Sequence, residues 1–278
     1  MKVIILMFVI LPLLGCSSLP NTQKKSTKYG EYIYHLSGEG KPVIILEPGM
    51  GNDMTSWQST LERFEQSSQV FTYNRAGFYG STSINEQRDG ETIVLELREL
   101  LTELNISPPY ILVGHSLGGL YMKLFANTFP DEIAAVIFID PTHHEMRPIC
   151  KTPDGEYCVN EIPWWAKIIL PDAVANEYKQ LDRSLESSSN VKSFPNVPVA
   201  VISSVKIPKG VEKTDKEWID SQNWQKYFTT LSPVSKHITC RSCGHHVHHD
   251  KPELVTQALD WVMGEIKNED SRQKQGMN

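Results

Sequence analysis

Residues 110–129, YILVGHSLGGLYMKLFANTF, constrain the fold more than any other stretch of the chain. Pro108 and Pro109 announce a short apolar run, YILV, which is abruptly followed by a helical pattern. The turn between them holds Gly114, His115, Ser116, Leu117, Gly118 and Gly119. A buried strand that turns sharply into a helix is half of a βαβ unit, so this stretch calls for a parallel sheet covered by helices. The glycines allow a strained turn at Ser116, where a neighbouring Cβ would clash.

The rest of the chain keeps that rhythm. EYIYHL and PVIILE read as the first strands, joined by the turn signal SGEGK. VFTY (70–73), AAVIFI (134–139), PVAVIS (198–203) and HITC (237–240) continue the series. Thr92 to Asn105 sets Ile93, Leu97, Leu100, Leu101 and Leu104 on one helical face, and Leu254 to Ile266 reads as a closing helix entered at Pro252-Glu253. One interval breaks the pattern. Residues 141–195 offer two helical segments, Trp164 to Leu170 and Ala173 to Ser184, with no convincing central strand. An insertion there reads as a helical cap over the carboxyl edge of the sheet, where open α/β folds bind ligands. The expected organisation is one domain over 30–267, with a disordered tail over 268–278.

The first residues have a different character. Lys2 precedes an apolar run, Val3 to Leu14, that is too short to span a bilayer and suits a secretory signal. Leu13-Leu14-Gly15-Cys16 resembles the bacterial lipobox, which implies cleavage after residue 15 and a lipid on Cys16. Ser17 stands where the inner-membrane retention signal is Asp, so the expected location is the outer membrane of a bacterial envelope, facing the periplasm. Residues 16–29 are polar and read as a flexible tether. At 40% hydrophobic and 22% charged residues, the remainder is ordinary for a globular protein. A net charge of -6 argues against nucleic acid, which requires a basic surface. The chain is read as a monomer.

Setting Cys16 aside leaves Cys150, Cys158, Cys240 and Cys243, an even number in an oxidising compartment. Local pairing, Cys150 with Cys158 and Cys240 with Cys243, is the expected connectivity among three. CRSCGHHVHHD also packs ligand types for a metal, namely both cysteines with His245, His246, His248 and His249, but an oxidised pair would remove the thiolates.

Gly114-His115-Ser116-Leu117-Gly118, in its strand-turn-helix setting, resembles the nucleophile elbow of the α/β-hydrolase superfamily. The resemblance extends from Glu31 to Ile266 and implies an α/β-hydrolase fold with Ser116 as nucleophile. Glu47-Pro48-Gly49-Met50-Gly51 stands where the superfamily has its oxyanion loop, which implies backbone donation from Met50 and Leu117, with Pro48-Gly49 in place of the frequent His-Gly. YNRAGFYGS (73–81) resembles the superfamily's YDRxGxGxS stretch, with Asn74 replacing Asp, and implies that Arg75 shapes the pocket floor. SCGHHVHHDKPELV resembles GHxxxxxxPExV and implies His245 as the base, with His246, His248 and His249 as loop or surface groups. For the acid, Asp140 follows its strand directly, while Asp215 and Glu212 remain alternatives after the next one. The resemblance implies acyl transfer on a small ester by a Ser-His-Asp triad, with no metal or organic cofactor. A peptidase or amidase of the same fold is the alternative, and a binding module that kept the fold is a third. The superfamily's dehalogenases and epoxide hydrolases use Asp at the elbow, where this chain has Ser116.

Overall fold

Each central strand alternates its side chains between two apolar layers. In β3 (Val43–Glu47), Val43 and Ile45 enter one core cluster, while Ile44 and Leu46 enter the other. In β5 (Tyr110–His115), Tyr110 and Leu112 face the first layer, and Ile111 and Val113 the second. Because both faces are covered, these strands are continuous apolar runs rather than alternating ones. The computed structural model describes residues 19–83, 86–146, 149, 171–207 and 210–276. Within them the remaining strands are β1 (Gln23–Thr27), β2 (Gly30–Ser37), β4 (Val70–Tyr73), β6 (Ile133–Ile139), β7 (Val199–Ser204) and β8 (Ser235–Cys240). The sheet order is β1-β2-β4-β3-β5-β6-β7-β8. The pairs β1/β2 and β2/β4 are antiparallel and the rest parallel, so the expected mostly parallel sheet is observed.

Helices cover both faces. On the first lie α2 (Gly90–Glu103) and α3 (Leu117–Thr128), and on the second α1 (Gln58–Glu65) and, further along the chain, α8 (Pro252–Gly276). Between α3 and α8 come α4 (Asp172–Lys179), α5 (Leu181–Ser189), α6 (Lys216–Tyr227) and the single turn α7 (Val247–Asp250).

Three expectations change. The tether is not wholly flexible: Gln23 to Thr27 pairs with β2, Leu19 is buried, and His35 Nδ1 donates to Pro20 O at 2.8 Å. Its polar residues suit an edge strand, which satisfies its backbone on one side and leaves side chains in water. The tail is not disordered either, since α8 continues to Gly276. Between Lys267 and Gln275 there is neither proline nor glycine, and Lys, Glu, Arg and Gln favour a helix. The cap, finally, is only partly a cap. Ala173 and Val174 of α4 do lie over the carboxyl edge, against Phe78 and Met50. Leu181 and Leu185 of α5 instead join the first core layer. Trp164 to Leu170 lies outside the described residues, as do Cys16, Cys150 and Cys158. Among the described residues no helix is long and apolar enough to cross a membrane.

Candidate active site

The carboxyl ends of the strands gather the expected residues. At the end of β5, Ser116 takes φ 52° and ψ -121°, a conformation L-residues avoid. The surroundings hold it there: its amide donates to Ile139 O at 3.0 Å, and its carbonyl accepts from Gly119 N at 3.0 Å and Thr142 N at 2.9 Å. α3 can start this close only because Gly118 has no side chain, since a Cβ there would lie 2.3 Å from Glu47 O. The motif's glycines therefore let the helix dock against the loop after β3.

His245 comes from the loop after β8. Its Nε2 lies 2.9 Å from Ser116 Oγ, and its Nδ1 lies 2.6 Å from Asp140 Oδ2. Asp140 stands at the end of β6 with φ 43°, and its Oδ1 accepts from the Ser204 amide at 3.0 Å. A carboxylate only accepts, so Nδ1 carries the proton and the Nε2 lone pair faces Ser116. That tautomer suits a base. Asp215 is elsewhere, at the start of α6, where Oδ1 accepts from the Trp218 amide at 3.4 Å, and Glu212 is exposed.

Four ties fix the His245 loop. Cys240 and Cys243 are joined by a disulfide. Ser204 Oγ donates to Cys243 O at 2.7 Å, and the Gly244 amide donates to Asp250 Oδ2 at 2.7 Å. His115 Nε2 donates to His245 O at 3.0 Å. His245 itself stays half exposed. A pocket of about 370 Å³ opens beside it, with Ser204, Lys206, Trp218 and Gln222 among its walls.

Beneath the loop after β3 lies a charge cluster that sequence reading largely missed. Arg75, Glu47 and Glu177 are all buried. Arg75 Nη1 donates to Glu47 Oε1 and to Pro48 O, both at 2.8 Å. Its Nη2 donates to Gly49 O at 3.0 Å, and its Nε donates to Glu177 Oε1 at 2.6 Å. Burial pushes the Glu47 carboxyl up despite the guanidinium; burial also opposes the Arg75 charge, but Glu177 and Glu47 outweigh it and hold that group firmly protonated. Arg75 was read as shaping the pocket floor, and here it grips the carbonyls of the loop. Glu177 lies 102 positions away in the chain, and no local signal marks it as a partner. Removing the cation would leave two carboxylates buried without it. Arg75→Met is therefore expected to lower unfolding free energy by about 3–5 kcal/mol, read from urea denaturation.

Asn74, where the superfamily has Asp, uses both ends of its amide: Oδ1 accepts from the Met54 amide and Nδ2 donates to Tyr79 O, each at 3.0 Å. A carboxylate could not make the second bond. His248 corrects an expectation. It is fully buried rather than a surface group, packed on Trp57 at 4.9 Å and His115 at 4.4 Å between ring centroids. Burial pushes His115 down to about 3 and His248 to about 2, with nearby imidazoles adding to both shifts, so both rings are neutral.

Comparison with known proteins agrees with this architecture. The model of the alpha/beta hydrolase fold family matches residues 42–155, which hold the β3 loop, the elbow and Asp140. An uncharacterized Bacillus subtilis protein, YqjL, is 26% identical over 231 residues, which are 82% of this chain and 86% of YqjL. Among solved structures, a putative lipase from Acinetobacter baumannii superposes with a TM-score of 0.65 at 14% identity, covering 89% of this chain and 92% of the lipase. An epoxide hydrolase variant from Vigna radiata gives 0.65 at 13%, covering 89% and 100%. One fold thus carries different chemistries, and the residues at the site must choose between them.

Proposed function

We propose that this chain, an α/β-hydrolase, cleaves carboxylic esters by acyl transfer through Ser116. The observation that carries the reading is the continuous line from Asp140 Oδ2 through His245 to Ser116 Oγ, spaced at 2.6 and 2.9 Å. Ser116 Oγ attacks the ester carbonyl carbon as its proton passes to His245 Nε2. The imidazolium, held by Asp140, returns that proton to the departing alcohol as the ester C–O bond breaks. Water then attacks the acyl-enzyme, His245 takes its proton, and the acid leaves as Ser116 is restored.

The charge that develops on the carbonyl oxygen needs donors, and Leu117 and Met50 supply them. Leu117 is the first residue of α3, so its amide has no acceptor within the helix. Gly49 O is turned toward Arg75. In a trans peptide the carbonyl and the next amide point opposite ways, so the Met50 N–H is directed away from Arg75. A Cβ on Gly49 would lie 3.2 Å from Ser116 Cβ, which places this peptide beside the nucleophile. Donors of this kind are worth roughly 10²–10³ in turnover each. A serine at the elbow favours an acyl-enzyme over the alkyl-enzyme route of epoxide hydrolases.

Labelling by a fluorophosphonate probe, followed by a panel of nitrophenyl esters and amino-acid anilides, tests the reading. Labelled Ser116 with ester turnover well above anilide turnover is the expected result. Unlabelled, correctly folded protein would remove the acyl-enzyme. Faster anilide than ester cleavage would turn the assignment to a peptidase or amidase.

Cys16 is proposed as the lipid anchor, on the strength of the Leu13-Leu14-Gly15-Cys16 sequence. Acyl chains gain about 0.8 kcal/mol per buried methylene, so no further apolar face is needed. Cys16→Ser should abolish incorporation of labelled fatty acid and shift the protein out of the outer-membrane fraction. A native protein that takes up no fatty acid would remove the anchor.

A further inference from the structure

His115, His246 and His248 come from three places: the end of β5, the His245 loop and α7. One ring nitrogen from each lies within 4.8 Å of the others. Two of the three rings are buried, and three of their four nitrogens lack partners, the exception being His115 Nε2, which donates to His245 O. Neither Nδ1 nor Nε2 of His248 has a hydrogen bond, and Nδ1 of His115 has none. Native proteins pair buried polar atoms, because leaving one unpaired forfeits its hydration for nothing. Here three such atoms belong to two rings whose centroids are 4.4 Å apart. Packing alone gives no reason for an imidazole at His248, since an aromatic hydrocarbon would fill the space beside Trp57 without that cost.

We propose that His115, His246 and His248 form a site for a divalent transition-metal ion that fastens the His245 loop to the elbow. Convergent imidazole nitrogens suit Zn²⁺, Ni²⁺ or Cu²⁺, whereas Ca²⁺ and Mg²⁺ require oxygen ligands. The site is distinct from the one weighed in the sequence, because the disulfide takes Cys240 and Cys243 out of the ligand set. Bond lengths of about 2.0–2.1 Å to zinc bring the three nitrogens closer than they stand here. The exposed ring of His246 supplies that movement, while His115 and His248 are already packed in place. Three protein ligands leave one tetrahedral position for solvent on the exposed side.

Binding is measured on the full chain, independently of hydrolysis, by dialysis against Zn²⁺ with elemental analysis and by calorimetric titration. One equivalent should bind, and the melting temperature should rise with free Zn²⁺ as expected for a ligand of the native state. His246→Gln changes an exposed side chain and should fold normally, with zinc affinity about 100-fold lower. His249→Gln should bind as the native protein does, because His249 Nε2 is engaged by Ser56 O at 2.7 Å and is not one of the three. Failure to retain an equivalent of zinc would overturn the site, as would equal affinity in the native and His246→Gln proteins. Loss on His249→Gln equal to that on His246→Gln would do the same, since it would indicate diffuse chelation by the histidine-rich stretch.

Discussion

Ser116→Ala should fold as the native protein does and lose ester turnover by several orders of magnitude, on the order of 10⁶ by comparison with other serine triads. His245→Ala should cost about as much, and the double variant little more, because nucleophile and base act as one unit. Fluorophosphonate labelling should vanish with the serine. A companion substitution separates chemistry from strain. The φ of 52° at Ser116 carries a penalty of about 1–3 kcal/mol for a residue with a Cβ. Glycine removes that penalty but gains freedom in the unfolded chain worth about 0.4–1 kcal/mol. The strain is the larger of the two, so Ser116→Gly should be inactive and modestly more stable than the native protein. Near-native turnover in Ser116→Ala would end the acyl-enzyme reading.

The second large effect is expected at Asp140. In Asp140→Asn the side-chain oxygen can still accept from the Ser204 amide, so the fold should survive. The new amide nitrogen would face His245 Nδ1 and donate to it. That reverses the imidazole, puts N–H rather than a lone pair toward Ser116, and removes the charge that steadies the imidazolium. In the serine-protease example the corresponding change lowers turnover by about 10⁴. Asp215→Asn should stay near the native rate, since that carboxylate caps α6. A folded Asp140→Asn with native turnover would detach Asp140 from the chemistry. Melting temperature should be recorded beside rate, so that a loss of folded protein is not taken for a loss of catalysis.

The central parallel strands were legible because burial on both faces writes each as an unbroken apolar run, as in VIILE and YILV, whereas β8 at the sheet's edge is partly exposed and offers only HITC. The candidate site residues were legible for a related reason: Ser116 and Asp140 sit just past such runs, with glycine or proline at the turn, while His245 was found from the Gly244-His245 pair after HITC. β1 was not, because an exposed edge strand needs no apolar residue, and QKKST resembles linker. α6 was not, because KEWIDSQNWQKY carries no clear apolar stripe. The Arg75 cluster lay beyond reach for a different reason. Its members are separated by 28 and 102 positions, and buried ion pairs leave no periodic trace. His248 was misread because a histidine-rich run looks polar, while the fold turns one ring of it inward against Trp57.

The edge strand also bears on the proposed anchor. Leu19 is buried, so a lipid on Cys16 would be separated from the packed domain by three chain steps, a reach of about 10 Å. The entering chain meets the sheet well up its height: Pro20 meets His35, whose neighbour across the ladder is Thr72, level with Leu46 and Val113, and β1 then runs in the same sense as β4. Ser116 stands three residues beyond Val113, on the carboxyl rim toward which β1 runs. The chain that leads from the proposed anchor is thereby part of the same sheet as Ser116, so the reactive rim would be held by a hydrogen-bonded ladder and not swing on a loose linker.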